Sequence, residues 1–343
     1  MLARDHFGIV PLYYAQVGER LYFASEVKSL LACPDIRREI DHEALDMYLT
    51  FRYIPGPHTA LAAIKNVSPS EWLVWEEGKI HREKYWRLQW EGPRQEVDRE
   101  EAATRVRTAV EEAVRIRLMS DVPLGIFLSG GLDSTFVTAA AQKVSAKPVH
   151  TFSIIFPEDR HDESRYSRLV AEQLGTVHHE IPVGSFDTLD VLDDLAWFLD
   201  LPMADAAVAN IYLMAKATKP HATVVLSGDG GDEVFGGYKK YRIFSLAHYF
   251  RSLGGVPGLE RLVPPGRIRR AVHFWDRIHD PAQAYVSLYS CFTPEQKRRL
   301  YSGPMAEVWD DNRRSTAVCE PFLNAEGTPF FHRIQAFDLH SVV

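Results

Sequence analysis

The pattern of apolar and polar positions changes character close to residue 100. Before it, Pro11-Leu12-Tyr13-Tyr14-Ala15 and Arg20-Leu21-Tyr22-Phe23-Ala24 flank Val17-Gly18-Glu19. Trp72-Leu73-Val74-Trp75 and Ile80 to Trp86 flank Glu76-Glu77-Gly78-Lys79 in the same way. Aromatic, alternating runs around short polar turns predict two antiparallel hairpins. Between them Asp41 predicts an N-cap for a short helix through Leu49. Residues Gln89 to Arg99 hold Gly92, Pro93 and mixed charges without apolar period, and read as an interdomain linker.

After the linker, Glu101 to Met119 places Ala102, Val106, Ala109, Val110, Ala113, Val114 and Leu118 on one helical face. Short apolar runs at 124–128, 149–156, 177–183 and 223–226 then alternate with helical patterns at 135–143, 163–174 and about 188–199, the second ended by Gly175. Such alternation predicts an α/β fold with a doubly wound parallel sheet, whose ligands sit beyond the carboxyl ends of the strands. From Ile243 onward the chain reads as Arg-rich helix with a break at Val263-Pro264-Pro265-Gly266, and Arg267, Arg269 and Arg270 read as a solvated face.

One such strand end carries unusual chemistry. Pro123 to Leu128 reads as a strand, Ser129-Gly130-Gly131-Leu132-Asp133-Ser134 as a turn, and Thr135 to Lys143 as an Ala-rich helix. Gly130 and Gly131 let backbone N–H groups approach a ligand, Ser129 and Ser134 add hydroxyls, and the helix end adds partial positive charge. That makes an anion cradle. Asp133 stands where a bound phosphate is already negative, a conflict that a divalent cation resolves. Neither Gly-x-x-x-x-Gly-Lys-Ser/Thr nor Gly-x-Gly-x-x-Gly occurs here.

Composition narrows the partners. With 46% apolar residues in 343, two packed domains are within reach. A net charge of -7 argues against a surface built to neutralise a nucleic-acid backbone, so no nucleic acid is expected. Cys33, Cys291 and Cys319 are too far apart for a disulfide framework or a Cys-x-x-Cys site, which makes a reducing cytosol the simplest setting. No window approaches the ~20 apolar residues of a membrane span, and Met1-Leu2-Ala3-Arg4-Asp5 has no signal-peptide anatomy. A cytoplasmic protein without a membrane partner is expected.

A second glycine-rich stretch follows the strand pattern at 223–226. Ser227-Gly228-Asp229-Gly230-Gly231-Asp232-Glu233-Val234-Phe235-Gly236-Gly237-Tyr238 crowds glycines and acids together. Repeated glycine gives up conformational entropy unless the backbone must turn tightly, and like charges crowd unless a cation offsets them. A magnesium-bound pyrophosphate meets both demands.

The Ser-Gly-Gly-Leu-Asp-Ser turn resembles the pyrophosphate loop of N-type ATP pyrophosphatases. The second stretch resembles the Ser-Gly-Glu-Gly-x-Asp-Glu-x-Phe-Gly-Gly-Tyr segment of glutamine-hydrolysing asparagine synthetases. Arg4-Asp5-His6-Phe7-Gly8-Ile9-Val10-Pro11-Leu12-Tyr13-Tyr14, with Phe23-Ala24-Ser25-Glu26-Val27-Lys28-Ser29-Leu30, resembles the end of that family's glutaminase domain. The resemblance implies part of an antiparallel-β glutaminase domain at 1–88, a linker at 89–99, and an adenine nucleotide α-hydrolase-like synthetase domain at 100–343. It implies ATP and magnesium as cofactors, with glutamine or ammonia and aspartate or another carboxylate as substrates; a homodimer is compatible with it.

By the same resemblance Leu128 and Ile154 contact adenosine, and Ser129, Gly130, Gly131, Asp133 and Ser134 hold the phosphates. Ser227 and Gly228 contact ATP, Asp232 joins Asp133 at magnesium and pyrophosphate, and Asp229 assists ammonia attack on an acyl-adenylate. Asp5 matches the acid that binds the α-amino group of glutamine; a turn-forming Asp before Gly8 is the alternative. Two departures stand out: position 229 is Asp where the family commonly has Glu, and Ala206-Ala207 follow Asp205 where Ser or Thr is common.

The family's N-terminal cysteine and Asn-Gly-Glu stretch have no counterpart in this sequence, and Cys33, Cys291 and Cys319 each lack the free α-amine that serves as base. The sequence stops at Phe337-Asp338-Leu339-His340-Ser341-Val342-Val343, before the family's Lys-x-Asp-Arg segment and catalytic lysine. A fragment lacking both ends is expected. Adjacent His178 and His179 point to opposite faces of a strand, which argues against a shared metal. An amidotransferase acting on another carboxylate, such as a sugar acid or peptide, and a non-catalytic nucleotide-binding module remain as rivals.

Overall fold

The computed structural model describes residues 1–88, 97–156, 164–183, 190–205, 207–249, 267–325 and 328–341, with backbone alone at 247, 248, 267–270 and 273. Most of the expected linker, Ala206, the Pro-Gly break at 263–266 and the side chains of Arg267, Arg269 and Arg270 lie outside what is described. The chain forms two compact bodies: Met1–Glu91 with Phe198–Ala204 and Glu233–Val343, and Gly92–Trp197 with Asp205–Asp232.

In the first body both expected hairpins form. Strands β1 (Leu2–Ala3), β2 (Tyr13–Val17), β3 (Arg20–Ala24), β4 (Lys65–Asn66), β5 (Glu71–Glu76) and β6 (Lys79–Lys84) make two three-stranded sheets, ordered β1-β5-β6 and β3-β2-β4. All their pairings are antiparallel, with Tyr13 opposite Ala24 and Trp72 opposite Glu83. The hairpins find cover that alternation alone did not specify: Tyr13, Ala15, Val27, Leu30, Ile36 and Ile64 pack as one cluster, and Tyr14, Val67 and Leu73 as another.

Asp41 caps the His42–Phe51 helix as expected, its side chain accepting from the Ala44 N–H at 3.0 Å. The other described elements of this body are helices, around a core that includes Tyr241, Phe244, Ile278, Val286, Leu323, Ile334 and Phe337.

The second body carries the parallel sheet. Strands β7 (Leu124–Phe127), β8 (His150–Ile155), β9 (Val177–Pro182) and β10 (Val224–Leu226) lie in the order β10-β7-β8-β9, every neighbour parallel. From β7 the chain moves to β8 and β9 on one side and returns to β10 on the other. The order therefore reverses beside β7, the place where a doubly wound sheet opens a crevice at its carboxyl edge. Ile126, Ala140, Ala141, Val149 and Val114 form the core beneath.

Three elements depart from the sequence-based expectation. The first helix runs over Arg99–Arg117, capped by Asp98, but only Val110, Val114 and Leu118 of its apolar face pack into the core, and Val106 is exposed. The helix expected at 135–143 is Leu132–Val144, so Asp133 and Ser134 belong to its first turn. Ala207–Thr218 is a helix that no period announced, because its residues are apolar on nearly every side. Among the described residues no helix is long and apolar enough to cross a membrane.

Candidate functional site

The first turn is built by close packing behind it. A Cβ on Gly125 would lie 2.5 Å from Phe152 Cε2, so β7 and β8 meet only with glycine there. Past β7, the Leu128 N–H donates to the Phe152 carbonyl at 2.9 Å, and the chain then turns through Ser129, Gly130 and Gly131. Gly130 has φ +81°, and a Cβ on it would meet Ser167 N at 2.7 Å and Tyr166 Cβ at 2.7 Å. Both the left-handed backbone and the neighbouring Ser164–Leu174 helix demand glycine there. The Ser129 and Ser134 hydroxyls sit 3.0 Å apart and the Ser129 N–H donates to Ser134 Oγ at 3.3 Å, which closes the turn. Gly131 is the helix N-cap and supplies no side-chain cap, leaving the first-turn amides to the turn itself or to a ligand.

The second turn follows β10 and packs directly on the first. A Cβ on Gly228 would fall 2.7 Å from Ser134 N, and one on Gly231 would fall 2.6 Å from Asp133 Cγ. The two glycine-lined bends, about a hundred residues apart in the chain, therefore share one wall. Ser227 Oγ donates to Asp229 Oδ2 at 2.8 Å, and Asp229 is exposed. Burial, reinforced by the neighbouring Asp232 charge, raises the Asp133 carboxyl above its ordinary value.

Asp133 and Asp232 are hard oxygen donors side by side, and among the described residues no lysine or arginine pairs with either. Two carboxylates without a cage of further ligands suit magnesium, which keeps several waters and takes its remaining oxygens from phosphate. No group of three or more His, Cys, Asp or Glu among the described residues is arranged to hold a metal by itself.

Not every expected contact lies on this wall. Leu128 is buried, and both its backbone polar groups are used inside the fold, the carbonyl accepting from Ser153 Oγ at 2.8 Å. Ile154 is half-buried on β8, opposite Ile181. Asp205 turns its Oδ1 to the Ala207 N–H at 2.9 Å, a local cap at the start of a helix. Asp5 lies in the first body, where its carboxylate accepts from the Phe7, Ile9 and Val10 amides at 3.0 to 3.2 Å. Burial opposes ionisation of Asp5, but those backbone bonds outweigh it and hold the carboxyl below its ordinary value.

Motif reading passed over the layer under the first turn. His178 bridges Thr151 Oγ1 at 2.9 Å through Nδ1 and Ser153 Oγ at 3.1 Å through Nε2, while His179 stacks with His150 and Phe152. The two rings do leave opposite faces of β9. Thr151 and Ser153, two residues apart on a strand that is otherwise largely apolar, were the available signal of a buried polar patch.

Comparison with known proteins places both parts of the chain in families. The family described as asparagine synthase matches residues 105–343, and the glutamine amidotransferase domain family matches residues 1–86. "Asparagine synthetase [glutamine-hydrolyzing] 1" of Bacillus subtilis (strain 168) is 38% identical over 242 residues, 70% of this chain and 38% of its own length. A putative asparagine synthetase [glutamine-hydrolyzing] 2 of Methanocaldococcus jannaschii is 34% identical over 241 residues, 69% of this chain and 46% of its own. The chain thus spans less than half the length of these curated relatives. Among solved structures, a glutamine-dependent NAD+ synthetase from Acinetobacter baumannii, in complex with ADP, covers 76% of this chain and 61% of that one. Its identity is 18% and its TM-score 0.31.

Proposed function

We propose a function on one premise: the chain belongs to the asparagine synthase family. The parent protein is an ATP-dependent ligase that makes an amide from a carboxylic acid, with aspartate as the acid and glutamine as the ammonia source. Residues 1–88 are the glutaminase part, 89–99 the linker and 100–343 the synthetase part.

A carboxylate oxygen of the acceptor attacks the α-phosphorus of ATP; the bond to the bridging oxygen breaks and pyrophosphate leaves with the electron pair. Ammonia then attacks the acyl carbonyl, Asp229 takes a proton from the nitrogen, and AMP leaves. Amides of the first turn, with the Ser129, Ser134 and Ser227 hydroxyls, hold the phosphates and stabilise charge as it develops on them. Asp133 and Asp232 would hold magnesium, which when bound offsets the negative charge of the leaving group.

The direct packing of Gly228 and Gly231 on Asp133 and Ser134 carries this reading. The two bends can serve one polyphosphate only because no side chain stands between them. In the full-length protein supplied with ATP, magnesium and aspartate, Asp133→Asn abolishes pyrophosphate release; near-normal release from that variant refutes the assigned role. ATP binding without pyrophosphate exchange in the unmodified protein would favour a non-catalytic module instead.

A second reading concerns the acceptor. Asp229, one methylene shorter than Glu, is drawn back onto Ser227 at 2.8 Å, which alters the reach of a base against the ~2.6–3.2 Å needed for proton transfer. A differently shaped carboxylate, such as a sugar acid or peptide, would suit it. Comparing AMP formation with aspartate and with such acids decides between them.

A further inference from the structure

The polar layer under the first turn has one consistent set of hydrogen positions. Ser153 Oγ has a single proton, and it goes to the Leu128 carbonyl at 2.8 Å. The 3.1 Å contact with His178 must then be donated by Nε2–H. Nδ1 accepts from Thr151 Oγ1 at 2.9 Å, and Thr151 in turn accepts from Thr176 Oγ1 at 2.9 Å. Every hydroxyl in the chain Thr176, Thr151, His178, Ser153 points toward Leu128, the residue from which the backbone enters the turn. Thr151 and Ser153 are buried, while Thr176 and His178 are half-buried, so the bond from Ser153 to Leu128 is the best shielded of the four.

We propose that His178 is a positioning residue for the first glycine turn: as the neutral Nε2–H tautomer it orients Ser153, which fixes the Leu128 carbonyl and hence the direction of Ser129 and Gly130. This inference rests on the reading of that turn as a phosphate cradle. A second proton on the ring would have to sit on Nδ1, against the Thr151 hydroxyl, forcing Thr151 and Thr176 to reverse. The Nε2–H bond to Ser153 survives in the charged ring, so acid acts on the cradle through the reversed Thr151 end and through the cost of a charge in this layer.

Three charged or titratable neighbours bear on the ring. Glu180 on β9 favours its protonation, Arg168 from the Ser164–Leu174 helix opposes it, and these two pair with each other. His179 leaves the opposite face of the strand, in a stack with His150, Phe152 and His221. Burial is the largest influence and pushes the His178 imidazole below its ordinary value, so the ring is neutral at pH 7. Because the folded state disfavours the proton that the unfolded chain accepts, this part of the stability is full above the ordinary imidazole value of about 6.5 and declines as pH falls below it.

Two measurements on the full-length protein test the proposal. Ring-nitrogen NMR at pH 7.5 should report His178 as neutral and protonated at Nε2; an Nδ1–H or charged ring overturns it. Binding of ATP with magnesium should weaken about tenfold between pH 7.5 and pH 5.5, equivalent to about 1.4 kcal/mol. His178→Gln keeps an N–H donor toward Ser153 and cannot take a charge, so it should bind within about threefold of the parent at pH 7.5 and show a flat profile.

A His178→Gln protein that loses affinity over the same pH range as its parent overturns the proposal. Ser153→Ala, which leaves the ring in place but removes both the bond to the Leu128 carbonyl and the acceptor of the His178 Nε2–H, should weaken binding about fivefold to tenfold at pH 7.5; no change there also overturns it. If the unmodified protein binds no ATP at any pH, the cradle reading falls, and the NMR result still decides the state of His178.

Discussion

The two bodies treat their acids in opposite ways. In the first, Asp338 is fully buried and receives Tyr241 OH at 2.7 Å, Tyr285 OH at 2.9 Å and Lys240 Nζ at 2.8 Å. Asp46 is likewise matched by Lys297 Nζ at 3.1 Å and by Tyr301 OH, and Lys297 also reaches Thr50 and Asn312. In the second body Asp133 stands beside another acid, and its carboxyl is raised rather than stabilised as an anion. Asp338 is satisfied through both carboxylate oxygens, and Asp46 through Oδ1 while its Oδ2 has no hydrogen-bond partner. An acid left beside a like charge, on a wall lined by glycine, fits the proposed role of holding a ligand that brings positive charge with it.

The comparison breaks most visibly at Lys297. Lys297→Met strands the buried Asp46 carboxylate and should lower stability by about 3–5 kcal/mol in urea unfolding; a loss below about 1 kcal/mol would class the pair with surface ion pairs. Adding Asp46→Leu should restore most of the loss, since the desolvation cost disappears with the charge. Gly228→Ala comes next. Its Cβ has no room against Ser134 N, and the resulting shift should cost about 1–3 kcal/mol while weakening ATP binding. Full retention of both would show that the two bends separate freely.

The smallest effect has the opposite sign and sharpens the contrast most. A carboxyl raised in the folded state loses stability as pH rises through its folded value, so ionised Asp133 works against folding at neutral pH. Asp133→Asn should therefore stabilise the protein at pH 7, by up to about 0.5 kcal/mol once solvent screening of a half-exposed group is allowed for. The difference should vanish in acid, where both forms are uncharged. An Asn variant that unfolds more readily than its parent at pH 7 would place Asp133 among the structural acids.

Much of this was legible in residue order. Aromatic runs around Val17-Gly18-Glu19 and Glu76-Glu77-Gly78-Lys79 pointed to both hairpins, and burial alternates at the start of β5, whereas β2 buries Tyr13, Tyr14 and Ala15 in succession because both its faces are covered. The succession of short apolar runs and helices specified a parallel sheet, since parallel strands need long crossovers. Glycine and acid spacing singled out Ser129 to Ser134 and Ser227 to Asp232, because side-chain-free positions next to carboxylates are costly unless something is bound or closely packed there. The resemblance to asparagine synthetases rested on those two stretches together with Arg4 to Tyr14 and Phe23 to Leu30.

Strand order is different in kind. Nothing local says that β10 lies beside β7, and that adjacency is what brings Gly228 and Gly231 onto Asp133 and Ser134. The same holds for His178, whose partners Thr151 and Ser153 are remote in sequence and became neighbours through the β8 to β9 register. Local sequence dictates conformation and period, which depend on a residue and the few beside it. Which buried polar groups find partners, and which acids are left without them, depends on contacts between distant segments, and those exist only once the chain has packed.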